Sequence, residues 1–242
     1  MRLKKFFKNL NKKFHHISFE GFEFNSKKIR KNYIFFAIQG NNINGNDFIS
    51  DAIKRGARII ISNKFKTSLN NGVLYIKTNN PRLALSNFAI KYYNKKPNNI
   101  IGVTGTNGKS SIVNFYYQLL KLNKKKVASI GTLGVKSNNI SIKMDNTTAD
   151  AITINKLLLN LKNKKVENVI LEASSHGLHQ KRLNGIKFNT SIFTNLSRDH
   201  LDYHKNYKNY LNSKLILFNE LTKNNGNLIF DNDTKYSKIL KK

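Results

Sequence analysis

Gly105, Thr106, Asn107, Gly108, Lys109, Ser110 and Ser111 are the residues of this sequence best suited to hold an anion. They follow an apolar stretch, Ile100 to Thr104, and precede an apolar-patterned one, Ile112 to Leu122. A glycine-rich turn at such a junction exposes successive backbone N–H groups, and the helix after it points its positive dipole end the same way. Lys109 suits the outer phosphates of a nucleotide, and the Ser110 hydroxyl suits a magnesium ion. The strict pattern places a glycine five residues before Gly108, where Val103 stands; the glycines fall at 102, 105 and 108. The expectation is a variant phosphate loop.

Further candidates lie where apolar runs end. Val169 to Leu171 leads into Glu172, a carboxylate that can hold magnesium beside a triphosphate, because magnesium takes oxygen ligands in phosphate company. Ser191 to Phe193 leads into Thr194, Asn195 and a polar run through Asp199, His200, Asp202 and His204. His200 and His204 are four apart, as in some zinc helices, but the usual glutamate base and an obvious third ligand are lacking. His176 and His179 make a weaker case. A serine hydrolase at Ser174 or Ser175 would need a Gly-x-Ser-x-Gly elbow, which is absent. Lys214, taken alone, reads as one surface lysine among many.

The elements that must position these groups alternate. Strands are expected within Ile17 to Phe24, over Tyr33 to Ile38, Ile59 to Ile61 and Val73 to Ile76. A helix capped by Asp47 is expected over Phe48 to Arg55, with Phe48, Ala52 and Ile53 inward, and another from Pro81 to about Tyr93. After a polar, proline-bearing stretch, Asn94 to Asn99, come a strand, the loop and its helix. Lys126 to Ile130, Val169 to Leu171, Ser191 to Phe193 and Leu228 to Phe230 then read as strands. Helices are expected around Ile152 to Leu161, with Thr148 as cap, and over Tyr207 to Leu221. The fold class is α/β: a small N-terminal α/β domain, 1–97, and a P-loop-type central domain with a mostly parallel sheet, 98–242. In open parallel sheets ligands bind at the carboxyl ends of the strands, where the loop, Glu172 and Asn195 would gather.

Composition narrows the function. There is no cysteine, which excludes disulfides and thiolate metal sites. The start, Met1 to Phe14, is basic and lacks the apolar run of a signal peptide, and no stretch reaches the length of a membrane span, so a cytoplasmic protein without membrane contact is expected. Lysine and arginine number 43 against 13 acidic residues, a net charge of +30. The lysines are dispersed and no basic block is interleaved with aromatics, so the charge reads mainly as a compositional habit, with lysines on solvated faces that could still help draw in an anionic substrate; nucleic acid is a minor reading.

Four segments carry a family resemblance: Gly102 to Ser110; Asn146, Thr147 and Thr148; Glu172 to Arg182; and Phe193 to His204. With them the chain resembles the Mur ligases of peptidoglycan synthesis, and within these the enzymes that add the third amino acid to UDP-N-acetylmuramoyl-L-alanyl-D-glutamate. The first domain fits too, from Phe24 through Gly56, so the resemblance spans nearly the whole chain. It implies an ATP-dependent, amide-forming ligase that joins a diamino acid, meso-diaminopimelate or L-lysine, to that nucleotide-linked dipeptide through an acyl phosphate, with Mg2+. It implies Ser110, Glu172, His200 and a carbamylated Lys214 as metal-holding groups, and Lys109, Lys214 and His200 as catalytic ones. Asn146, Thr147, Thr148, Ser174, Gln180 and Arg182 would hold the muramoyl peptide. Phe24, Ser26, Asn41, Asn42 and Ile43 would hold the uridine nucleotide. Departures are Asn25-Ser26-Lys27 for the usual Asp-Ser-Arg, Ser110 for threonine, and Ala173 for valine. The resemblance implies that the central domain, 98–242, is incomplete, and the family's third domain, which binds the incoming amino acid, is expected beyond Lys242, supplied by a longer frame or a separate chain. Other readings are a truncated, non-catalytic nucleotide-binding remnant and a folylpolyglutamate-type ligase.

Overall fold

The computed structural model describes residues 1–7, 9–40, 43–138, 140–234 and 236–240. The chain divides into two compact units, Met1–Lys91 and Tyr92–Lys242.

The first unit carries β1 (Gly21–Glu23), β2 (Tyr33–Phe36), α1 (Ile49–Lys54), β3 (Ala57–Ser62), β4 (Ser68–Asn70), β5 (Val73–Lys77) and α2 (Pro81–Tyr92), whose last residue falls in the second unit. Its sheet runs β1-β2-β3-β5-β4, parallel except for the edge strand β4. Ile59, Ile60 and Ile61 are all fully buried, the mark of a strand covered on both faces. Phe88 of α2 lies within 4.4–5.7 Å, ring centre to ring centre, of Phe6, Phe7, Phe19, Phe22 and Phe36. The basic N-terminal segment is thereby tied to the unit through its aromatic side chains. Two expectations are corrected here. Asn44, not Asp47, caps the turn ahead of α1, its side chain accepting from Asn46 N, and Gly45–Phe48 is a 3-10 turn. Phe48 is exposed, whereas Ala52 is fully buried.

The second unit carries β6 (Asn99–Thr104), α3 (Lys109–Leu122), β7 (Val127–Gly131), β8 (Gly134–Ser137), β9 (Ile140–Ile142) and α4 (Ala151–Asn163). It continues with β10 (Asn168–Glu172), α5 (Ser175–His179), β11 (Phe188–Phe193), α6 (Leu201–His204), α7 (Tyr207–Ile216), β12 (Thr222–Phe230) and α8 (Ser237–Leu240). Its sheet runs β12-β11-β6-β10-β7-β8-β9; the first five are parallel, and β8 and β9 return antiparallel. The protein is thus α/β, with a five-stranded mixed sheet and a seven-stranded, mostly parallel one among the described residues. Ile154, Leu158 and Leu161 of α4, at i, i+4 and i+7, are buried to 1% exposure or less, each worth about 1.5–3 kcal/mol. Asp150, not Thr148, caps this helix: its Oδ1 accepts from Ile152 N and Thr153 N at 2.9 and 3.0 Å. The expected helix 207–221 is α-helical only to Ile216, and Leu217–Leu221 widens into a π turn. β12 begins six residues before the expected strand.

Candidate nucleotide and substrate site

β11, β6, β10 and β7 are neighbours and run the same way, so their carboxyl ends share one rim. After β6 comes the loop Gly105–Gly108 leading into α3, after β10 Glu172, after β11 Thr194 and Asn195, and after β7 Thr132.

The loop is held from the β11 side. Asn195 carbonyl accepts from Thr106 N at 2.9 Å, and its side chain brackets the Asn107 backbone, Oδ1 accepting from Asn107 N at 3.0 Å and Nδ2 donating to Asn107 O at 3.2 Å. Thr194 Oγ1 donates to Asn107 O at 2.6 Å. Gly105 has φ +146°, and a Cβ there would stand 1.9 Å from Thr194 Oγ1. Only glycine fits that backbone and that closeness. Thr106 Oγ1 receives Ser197 N at 3.0 Å and meets Tyr210 Oη at 3.1 Å.

Two lysines converge on one carbonyl. Lys109 Nζ donates to Gly105 O and Thr106 O at 2.9 and 2.7 Å, and Lys214 Nζ donates to the same Gly105 O at 2.6 Å. Lys214 is 1% exposed, lies 4.5 Å from the Tyr210 ring centre, and is far from the surface lysine its sequence context suggested. Burial, then the charge of Lys109, pushes its amine down to about 7, against the pull of Asp199. Burial also lowers Lys109, opposed by Glu172 and Asp199.

Glu172 is 2% exposed. Its Oε2 accepts from Ser110 Oγ at 3.0 Å and Thr132 Oγ1 at 3.2 Å, and its Oε1 from Thr132 N at 2.9 Å. Ser110 and Glu172 thus place hard oxygen donors side by side at the loop, a set that fits magnesium. Thr148 Oγ1 donates to Glu172 O at 2.8 Å and accepts from Ser174 N at 3.0 Å, while Arg182 Nη1 donates to Thr148 O at 2.6 Å. Thr147 Oγ1 lies 3.0 Å from Thr132 Oγ1. Gln180 Oε1 accepts from Arg182, and its Nε2 donates to Tyr203 Oη at 3.1 Å. Ser174 Oγ caps α5, accepting from Gly177 N. The structure therefore gathers Thr147, Thr148, Ser174, Gln180 and Arg182 around the end of β10; Asn146 is exposed beside them.

The four histidines around Tyr203 form a ring cluster. His176 lies 4.8 Å from His200 and 5.4 Å from His204 between ring centres, and His179 5.7 Å from His204. His200 sits at the left-handed φ of +52° just ahead of α6, its Nε2 3.4 Å from Asp199 Oδ2. Burial, helped by the neighbouring imidazoles, holds His204 down at about 4. Its Nδ1 meets Ser213 Oγ, and its buried Nε2 finds no partner among the described residues. Among the described residues no group of three or more histidines, aspartates or glutamates is arranged to hold a metal.

In the first unit Phe24 and Ile43 are exposed. Ser26 is buried, and the Ser26 hydroxyl, ahead of Arg55, lowers the Asp51 carboxyl. Asn41 and Asn42 lie outside the described residues.

Thr132 and Tyr210 are the site residues that sequence reasoning gave no role, and Thr194 was singled out only as a strand end. The strand-end rule that picked Glu172 and Thr194 points equally to Thr132, and Tyr210 stands one helical turn before Lys214.

Comparison with known proteins decides the family. The description "Mur ligase middle domain" matches residues 103–242. The chain belongs to the Mur ligase family. A second description, "Mur ligase family, catalytic domain", matches residues 18–93. A UDP-N-acetylmuramoyl-L-alanyl-D-glutamate–2,6-diaminopimelate ligase of Rickettsia felis is 44% identical over 215 residues, covering 87% of this chain and 40% of the relative. One of the same name from Wigglesworthia glossinidia brevipalpis is 44% identical over 214 residues, 85% and 43% of the two chains. A solved ligase of that name superposes with a TM-score of 0.82 at 26% identity, covering 99% of this chain and 49% of its own. The MurF ligase from Thermotoga maritima in complex with ADP, at 23% identity and a TM-score of 0.57, shares the fold. This Mur ligase chain spans about half the length of these relatives. Among its described residues no helix is long and apolar enough to cross a membrane.

Proposed function

We propose that this Mur ligase chain binds ATP with Mg2+ at Gly105–Ser111 and a UDP-N-acetylmuramoyl dipeptide beside it. The reaction proposed is ligation of a diamino acid to UDP-N-acetylmuramoyl-L-alanyl-D-glutamate in the cytoplasm. The names of the relatives favour 2,6-diaminopimelate over lysine as that diamino acid. The observation that carries the reading is the shared rim: the loop, Glu172 and the Thr147–Thr148 segment meet through direct hydrogen bonds.

In the proposed reaction the D-glutamyl carboxylate attacks the γ-phosphorus, and the bond to ADP breaks as the acyl phosphate forms. The amine of the diamino acid then attacks the acyl carbon; phosphate leaves and the amine loses a proton as the amide forms. The charge to be offset is concentrated on phosphate oxygens, so positioning and fixed positive groups supply most of the catalysis. Lys109 and the N–H groups at the start of α3 would offset it. Magnesium, held by Ser110 and Glu172 with His200 and a carbamylated Lys214 further along the rim, would add its own positive charge to that effect. Arg182 would take a carboxylate or phosphate of the muramoyl peptide, which its planar, permanently charged fork suits. In the first unit Phe24, Ser26 and the segment 41–43 would take the uridine nucleotide. The site for the incoming amino acid would come from a further segment or a partner chain.

The test is calorimetric binding of a non-hydrolysable ATP analogue to the chain and to Lys109→Ala. A hydrogen bond to a charged group is worth about 1.5–3 kcal/mol, so affinity should fall about 10- to 150-fold. Equal affinity in the two proteins would refute the assignment of the loop.

A further inference from the structure

Glu172 is a joint between the two proposed subsites, and Thr132 is its hinge pin. The carboxylate lies so close over β7 that a Cβ on Gly131 would stand 2.2 Å from Oε1. Next along the chain, Thr132 holds both carboxylate oxygens, one with its N–H and one with its hydroxyl. The same hydroxyl reaches Thr147 Oγ1 at 3.0 Å, and Ser110 of the loop holds Oε2 from the other side. A continuous line of hydrogen bonds therefore runs from Thr147 through Thr132 and Glu172 to Ser110.

The line has a direction. A carboxylate accepts hydrogen bonds and cannot donate them, whereas a hydroxyl has one proton to give. Thr132 gives its proton to Glu172, so in its contact with Thr147 it must accept. The proton of Thr147 is thus turned inward, and what Thr147 presents outward is lone pairs. A ligand group seated on Thr147 has to be a donor, such as an amide N–H or a sugar hydroxyl. Donation to Thr147 polarises its own O–H and strengthens each bond down the line.

We infer that Thr132 is a positioning residue that couples the two subsites: a donor group of the muramoyl peptide on Thr147 steadies Glu172 and Ser110 for the nucleotide, and the nucleotide does the same in return. The inference rests on the function proposed above. By linkage the two ligands must help each other by the same factor, and couplings of this kind run about 5- to 150-fold.

The test measures the affinity of the ATP analogue with magnesium, in the absence and at saturation of UDP-N-acetylmuramoyl-L-alanyl-D-glutamate, in the chain, Thr132→Val and Thr132→Ser. The readout is the ratio of the two affinities, which a general loosening of the fold would leave alone. The ratio should be about fivefold or more in the natural chain, within twofold of one in Thr132→Val, and restored in Thr132→Ser. A ratio near one in the natural chain, or one that survives in Thr132→Val, overturns the coupling. A ligand-free cycle checks the line itself: the losses in thermal midpoint for Thr132→Val and Thr147→Val should sum to more than the loss in the double variant. Additive losses overturn the line of hydroxyls. If the analogue fails to bind the natural chain, the proposed function falls, and the ligand-free cycle still decides the joint.

Discussion

Gly105→Ala is the sharpest perturbation the loop allows. The added methyl meets three atoms at once: Thr194 Oγ1 at 1.9 Å, Thr194 Cβ at 3.0 Å and Asn195 N at 3.1 Å. Overpacking of that kind costs about 1–3 kcal/mol. The backbone at φ +146° adds about 1–3 kcal/mol for any residue with a side chain. Displacing Thr194 breaks its bond to Asn107 O, for about 0.5–1.5 kcal/mol more. The sum, about 2.5–7.5 kcal/mol, is comparable to the whole stability of a typical domain, about 5–15 kcal/mol. Thr194→Ala in the same chain removes the closest atom and should recover about 1–3 kcal/mol, leaving the backbone strain in place. The chain has no tryptophan, so urea unfolding is followed by far-UV circular dichroism and the fluorescence of its 10 tyrosines. A Gly105→Ala protein within about 0.5 kcal/mol of the natural one would refute the reasoning. So would a double variant in which the two losses simply add.

Two further outcomes follow from single side chains. Asp150→Ala removes the cap of α4 and should cost about 1 kcal/mol in urea unfolding; a loss under about 0.3 kcal/mol would show that the cap is idle. His204 is held at about 4 in the folded chain against an ordinary 6.5, so as pH falls the unfolded chain takes up its proton first. Stability should therefore decline from pH 6.5 to about 4, by up to about 3 kcal/mol, and His204→Phe should flatten that decline; an equal slope in both proteins would assign it elsewhere.

Much of this was legible in the sequence because parallel sheets impose regular punctuation. Ile59 to Ile61 and Val169 to Leu171 are too apolar to be half-exposed, and the polar residues that follow such runs mark the rim where ligands sit. What stayed hidden has local causes. Asp150 and Thr148 are both able caps, and only the backbone decides that Asp150 faces the free N–H groups. β4 and β9 are three residues long and mostly exposed, so alternation could not reveal them. The contact of Thr132 with Thr147 and Glu172 joins residues 15 and 40 apart, and no spacing rule announces it. Taken alone, Lys214 looked like a solvated lysine because its carbonyl partner, Gly105 O, stands 109 residues away in the chain.

The shared hold of Lys109 and Lys214 on Gly105 O has a consequence for acid–base balance. Two amines meet one carbonyl, and burial first, then the charge of Lys109, makes the Lys214 proton hard to keep, so near neutrality an unmodified Lys214 carries it only part of the time. The negative charge of a phosphate seated there, as proposed, would favour the protonated amine. With Lys214 uncarbamylated, the proposed capture of a nucleotide at this loop would also be capture of a fraction of a hydrogen ion from the medium, which the buffer would register as heat.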